Sequence, residues 1–290
     1  MRLLDGFAPL AEAYDGFIVD LWGVVHDGVA PYPGAVDTLR RLKGLGKRVV
    51  LLSNAPRRAA AAAAAMRAMG IGTELYDAIL TSGEAVHQAL RDRTDPWFAR
   101  LTPPLYHLGP ARDRNVFDTL GLAEADKPEE AGFVLNTGPD DHLAGQTLAQ
   151  FLPLLERCRA ARLPMICANP DLEVIRGGRR VLCAGALAEA YAGLGGDVRA
   201  LGKPDPAIYR IVLDLLGIKD RSRVLAVGDS LRTDIAGAKA AGIDSAWVIG
   251  GIHAAELGAA EGTLPPPRVL EAALAEAGLA VVAVLPAFRW

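Results

Sequence analysis

Cysteine is scarce in this chain, and the three present, Cys158, Cys167 and Cys183, form an odd set without paired metal-ligand spacing. That pattern gives no disulfide framework and no zinc site, so buried free thiols in a reducing cytoplasm are the expectation. Charge of one sign is missing too. Against 31 Lys and Arg stand 34 Asp and Glu, a net of -3, which supplies no basic field for nucleic acid or an anionic membrane surface. No run reaches the roughly 18 uninterrupted apolar residues of a membrane span. The first ten residues contain Asp5 and lack a basic start followed by a long apolar stretch, so no signal peptide is expected. Internal repeats are absent, and low complexity is confined to the alanine run 59–65, which reads as a helix because Ala has the best helix propensity.

What is present suits an α/β protein. At 290 residues with 51% hydrophobic content, the chain is long enough for two cores. Short, β-branched, apolar runs at 17–19, 49–52, 78–81, 224–227 and 246–249 alternate with helical stretches, the pattern of a parallel sheet covered on both faces. One helix is expected to start near Pro33 and to bury Val36, Leu39, Leu42 and Leu45; another follows Asp234 and ends at Gly242. The triplet Pro265-Pro266-Pro267 introduces a last helix, and 281–285 reads as an edge strand or tail. Between Thr81 and Lys203 lie over a hundred residues with strands of their own at 105–108, 133–136 and 165–168. A single crossover needs only about a dozen residues, so this insert reads as a second α/β domain. The expected division is 1–83 and 196–290 for a Rossmann-like parallel-sheet core and 84–195 for the inserted domain.

Polar residues cluster where the apolar runs stop. Asp20 closes Phe17-Ile18-Val19 and is followed by Leu21-Trp22-Gly23-Val24; a carboxylate at a strand's carboxyl end before a tight loop is how an open α/β sheet offers a nucleophile. Ser53 and Asn54 close the next strand with a hydroxyl and an amide able to donate to a phosphate oxygen. Gly202-Lys203-Pro204 offers a cation, and Gly228-Asp229-Ser230 with Asp234 offers two acids suited to a hard divalent ion. Each has a plainer alternative: Ser53 and Asn54 as helix caps, Lys203 as a surface charge, Asp229 and Asp234 as turn and cap residues.

In this order, all at strand ends, these segments resemble the four motifs of the haloacid dehalogenase (HAD) superfamily, and more closely its NagD-like class IIA phosphatases. Thr137-Gly138-Pro139-Asp140, Ala168-Asn169-Pro170-Asp171-Leu172 and Cys183-Ala184-Gly185-Ala186-Leu187 resemble signatures of the class IIA cap, so the likeness covers nearly the whole chain. The resemblance implies a hydrolase acting on a small phosphorylated metabolite through an aspartyl-phosphate at Asp20. It implies Mg²⁺ held by Asp20, the Trp22 backbone carbonyl and Asp229, with Asp234 acting through water or by orienting its neighbours. Ser53, the Asn54 amide and Lys203 would stabilise the transferring group, and Asn169 and Asp171 would face the substrate from the cap. No nucleic-acid or membrane partner is implied, and a homo-oligomer is compatible with it.

Trp22 departs from the family pattern. Family phosphatases carry there an Asp that protonates the leaving oxygen and then activates water; an indole does neither, and losing such a group costs on the order of 10²–10⁴ in rate. Dehalogenating members carry an aromatic residue there, since halide needs no proton to leave. A weak phosphatase is therefore the main expectation, with a phosphate-binding regulatory protein or a dehalogenase-type hydrolase as alternatives. His26, in Val25-His26-Asp27-Gly28, is a candidate replacement acid, with a solvent-exposed turn as its plainer reading. The other histidines, His87, His107, His142 and His253, show no metal-ligand grouping and read as structural.

Overall fold

The computed structural model describes residues 1–139, 147–260 and 262–290. Asp140 of the Thr-Gly-Pro-Asp segment and His142 lie outside the described residues. In chain order the strands are β1 (Arg2–Leu3), β2 (Gly16–Val19), β3 (Arg48–Ser53), β4 (Ala78–Thr81), β5 (Leu105–Leu108), β6 (Phe133–Asn136), β7 (Met165–Cys167), β8 (Glu173–Arg176), β9 (Arg179–Leu182), β10 (Val198–Ala200), β11 (Val224–Gly228), β12 (Asp244–Val248) and β13 (Ala283–Leu285). They build a seven-stranded parallel sheet ordered β1-β13-β12-β11-β2-β3-β4, a four-stranded parallel sheet ordered β10-β7-β6-β5, and the antiparallel hairpin β8-β9.

The apolar runs of the large sheet are continuous because both faces are buried. Phe17, Val19, Val49, Leu51, Leu225 and Val227 point into one core, while Ile18, Val50, Leu52, Val224 and Ala226 point into the other. From the central strand the chain winds outward one way through β3 and β4 and the other way through β11, β12 and β13, so the order reverses between β2 and β11. At such a switch point the loops part, and the crevice beyond the carboxyl ends of the strands is open to a ligand. Register fixes which residues meet there. Val19 pairs with Val227 on one side and with Leu51 on the other, which brings Asp20, Ser53 and Asp229 out along one edge.

Two expectations need correction. The segment at 281–285 is no edge: β13 lies between β12 and β1, and the edge is the two-residue strand Arg2–Leu3, too short to read from sequence. In the helix Ala35–Gly44, Leu39 and Leu42 are buried but Leu45, at the C-cap, is 57% exposed. Spacing of three lags the 3.6-residue turn, so nine residues from Val36 the stripe has rotated to the opposite face. The alanine run is helical over Ala59–Ala68, and Gly242 caps its helix in the left-handed conformation at φ 68°. The second sheet takes its last strand from Val198–Ala200, beyond Gly195, and its core packs Val134, Leu155, Met165, Leu187 and Tyr191. All three cysteines are free and buried, and no helix among the described residues is long and apolar enough to cross a membrane.

Candidate active site

Asp20, Asp229 and Asp234 come together at the switch point, with one carboxylate oxygen of each lying within 4.8 Å of the others. Lys203 Nζ stands 2.7 Å from Asp20 Oδ1 and 2.7 Å from Asp234 Oδ1. The ammonium is only 2% exposed, so Lys203 is no surface charge; burial opposes its proton, yet the surrounding carboxylates hold its pKa well above the usual value. Three acids against one ammonium leave negative charge unbalanced. Burial chiefly, and then the charge of Asp234, push Asp20 well above the ordinary carboxylate range despite the opposing Lys203. The same two causes push Asp229 up to about 7. A buried, anionic, all-oxygen set of this kind fits a hard divalent cation, which would restore both acids to their charged form.

Each acid is held by backbone. Leu21 N donates to Asp20 Oδ1 at 2.7 Å, and Asp229 Oδ2 accepts from Ile252 N at 2.6 Å. Asp234 has both oxygens engaged, Oδ1 by Lys203 and Oδ2 by Ser230 N at 3.2 Å, which suits orienting its neighbours. Ser230, not Asp229, is the capping residue of the turn 231–235. Gly23 has φ +78°, and a Cβ there would stand 2.0 Å from Asp229 Oδ2. Gly23→Ala is therefore expected to destabilise the protein by about 1–3 kcal/mol through backbone strain and to displace Asp229. Thermal unfolding with and without Mg²⁺ checks this: the variant should melt lower and gain less from the ion, and an unchanged Mg²⁺ response would contradict the placement.

The cap contributes through the loop after β7. Asp171 Oδ1 accepts from Asn54 Nδ2 at 2.9 Å, and Arg232 Nη1 donates to the Pro170 carbonyl at 3.0 Å, so the loop meets the core directly. Burial raises the Asp171 carboxyl above its usual range. Asn169 Oδ1 accepts from Asp171 N at 3.0 Å, an Asx turn that shapes the loop. The Asn54 amide, expected to reach a phosphate, is engaged elsewhere. Its Nδ2 serves Asp171 and the Lys203 carbonyl and its Oδ1 takes Lys203 N, so the side chain ties Lys203 to the cap. Ser53 is buried, with its hydroxyl accepting from Ala55 N at 3.2 Å. Neither residue caps the next helix, whose N-cap is Arg58.

A cavity of about 150 Å³ opens over Asp20, lined among others by Trp22, Asp171, Val174, Asp229 and Ile252. The Trp22 indole is partly buried and meets the His26 ring edge-on, with centroids 5.3 Å apart. His26 lies neither in solvent nor ready to donate as imidazolium. It is 4% exposed, its Nδ1 accepts from Gly28 N at 3.0 Å, and burial pushes its pKa down to about 4. His253, read from sequence as structural, lines the same cavity, with Nε2 accepting from Leu231 N and Nδ1 facing Glu256. Sequence reasoning missed the β8-β9 hairpin, although Gly177-Gly178 between two short segments containing β-branched residues is a two-residue turn signal. It also missed the loop that brings Ile252 to Asp229.

A parallel α/β core with acids at its switch point and an inserted second sheet is the architecture of a capped hydrolase. Residues 17–123 match the family described as Haloacid dehalogenase-like hydrolase, and residues 200–277 match HAD-hydrolase-like proteins. A haloacid dehalogenase-like hydrolase from Brucella suis is 34% identical, with a TM-score of 0.80 over 98% of this chain and 99% of that one. D-glycerol 3-phosphate phosphatase of Mycobacterium tuberculosis is 30% identical over 85% of this chain and 66% of its own length. A structure described as a putative nagD protein is 27% identical, with a TM-score of 0.62 over 82% of this chain and 90% of that one. The chain belongs to the haloacid dehalogenase-like hydrolases.

Proposed function

We propose that this hydrolase is a Mg²⁺-dependent phosphatase of the NagD-like class IIA kind, acting on a small phosphorylated metabolite through an aspartyl-phosphate at Asp20. The observation that carries the reading is the buried cluster of three acids around Lys203 at the switch point. The relative that acts on a small phosphate ester supports the same substrate class. Residues 84–195, together with strand β10, act as the cap.

Asp20 Oδ1 is held by Lys203 and Leu21 N, which leaves Oδ2 to attack phosphorus. The new Oδ2–P bond forms as the ester P–O bond breaks; water then attacks phosphorus and frees Asp20, so one hard displacement becomes two. Lys203 keeps Asp20 oriented and offers positive charge beside the transferring group, with the Ser53 hydroxyl at the same strand edge. Mg²⁺, held by Asp20, Asp229 and the Trp22 carbonyl, would neutralise phosphate charge. Asp234 orients Lys203 and the 229–230 loop. Trp22 supplies no proton, so the leaving oxygen departs as the anion or takes its proton from water.

A screen of phosphorylated metabolites with added Mg²⁺ tests the reading. Turnover of a phosphate ester that stops on chelation supports it; Mg²⁺-dependent binding of phosphate analogues with no turnover of any ester would favour the second reading that Trp22 suggests, a phosphate-binding regulatory protein. The cation's affinity should also follow pH. Because protons on Asp229 and Asp20 compete with the ion, affinity is expected to fall by at least about tenfold per pH unit below about 7. Calorimetric titration with Mg²⁺ at several pH values checks this, and a flat profile across neutrality would contradict Asp229 as a ligand.

A further inference from the structure

Beside the Asp20 cavity lies a second one of about 80 Å³, and Trp22, Asp171 and Val174 line both. Three arginines line it: Arg57 from the core loop after Asn54, Arg112 from the cap, and Arg176 from the β8-β9 hairpin. Arg57 and Arg176 also line a third pocket of about 60 Å³ against Trp22 and His26. Among the described residues, the acids lining the second cavity are Asp113 and Asp171. Arg57 Nε is buried without a hydrogen-bond partner, and neither oxygen of Asp113 has one. Asp113, 1% exposed, lies 3.7 Å from Arg57 Nε and 3.8 Å from Arg112 Nε, close enough to hold the two guanidinium groups together and too far to hydrogen-bond Arg57 Nε. A buried guanidinium donor with no acceptor is costly, and a planar anion is the ligand that its fork geometry fits.

We propose that this cavity receives a second anionic group, a carboxylate or a phosphate, on the leaving half of the substrate. The inference rests on the phosphatase reading and narrows it to phosphomonoesters that carry a further anion a short distance from the ester oxygen. Arg57 is the principal contact, and Arg176 brings positive charge from the hairpin. Trp22 then has a use of its own, as the apolar wall along which the substrate runs from Asp20 to the arginines.

The test compares kcat/KM for phenyl phosphate, 3-carboxyphenyl phosphate and 1,3-phenylene bisphosphate in the natural protein, Arg57→Met and Arg176→Ala, with Mg²⁺ present. The natural protein should prefer at least one of the doubly anionic esters by about tenfold or more, the size of one charge-assisted contact. Which ester is preferred distinguishes carboxylate from phosphate. In both variants the ratio should collapse toward unity, whereas a merely structural role would lower all three rates and leave the ratio intact. A ratio within about twofold of unity in the natural protein, or one unchanged in both variants, overturns the proposal. Arg176 is exposed, so its variant keeps the test open if Arg57→Met folds poorly. If none of the esters turns over, the phosphatase reading fails by itself. The same ratio is then read as calorimetric affinities for phenylphosphonate and 3-carboxyphenylphosphonate, and the absence of a preference there overturns the second-anion site.

Discussion

Asp20→Asn is expected to reduce Mg²⁺-dependent hydrolysis of an activated aryl phosphate by a factor on the order of 10⁴ or more, because the change removes the nucleophile and a cation ligand together. The loss should not come from unfolding. Burial and then the charge of Asp234 raise Asp20 well above its usual range, so a neutral amide relieves both penalties, and the variant without metal should melt no lower than the natural protein. Steady-state rates and thermal unfolding on the same samples check both parts. Full activity in EDTA would contradict the cation assignment and revive the dehalogenase alternative, which halide release from a 2-haloacid then tests.

The second large effect concerns Trp22. With no acid beside the leaving oxygen, rates should depend steeply on leaving-group acidity, so aryl and acyl phosphates should be cleaved far faster than alkyl phosphates. Trp22→Asp should raise the alkyl rate by up to about 10²–10⁴ and flatten that dependence. It should also lower stability, since the indole packs over Gly28 and against His26. The ratio of alkyl to aryl rates in the two proteins is the measurement, with His26→Gln as a control that leaves the slope unchanged. A shallow slope in the natural protein that steepens in His26→Gln would identify His26 as the acid, against its buried, neutral setting.

The core was legible because parallel strands buried on both faces read as short apolar runs, and the residue ending each run marks the sheet edge where ligands bind. Asp20, Ser53 and Asp229 stood out for that reason. Lys203 was found as a cation, but its bridge to Asp20 and Asp234 closes over 183 and 31 residues of chain, and no local pattern encodes such pairing. The Asn54 amide illustrates the same gap: its chemistry was plain, while its partners, Asp171 and Lys203, are set by how the cap meets the core. Arg57 and Asp113 were invisible for a further reason, since neither residue is unusual until each is buried without a hydrogen-bond partner. His26 was singled out as a candidate acid, but its burial cannot be read from a His-Asp-Gly turn. The β8-β9 hairpin was within reach of its Gly-Gly signal, whereas β1, two residues long, was not.

The most direct test of the account is intact-mass analysis of the protein quenched in acid during turnover of an aryl or acyl phosphate with Mg²⁺. Without a general base at position 22, water should attack the intermediate slowly. The natural protein should therefore gain the mass of one phosphoryl group, mapped by peptide analysis to Asp20, and Asp20→Asn should gain none. Sustained hydrolysis by Asp20→Asn, or a phosphoryl group on another residue, would contradict it.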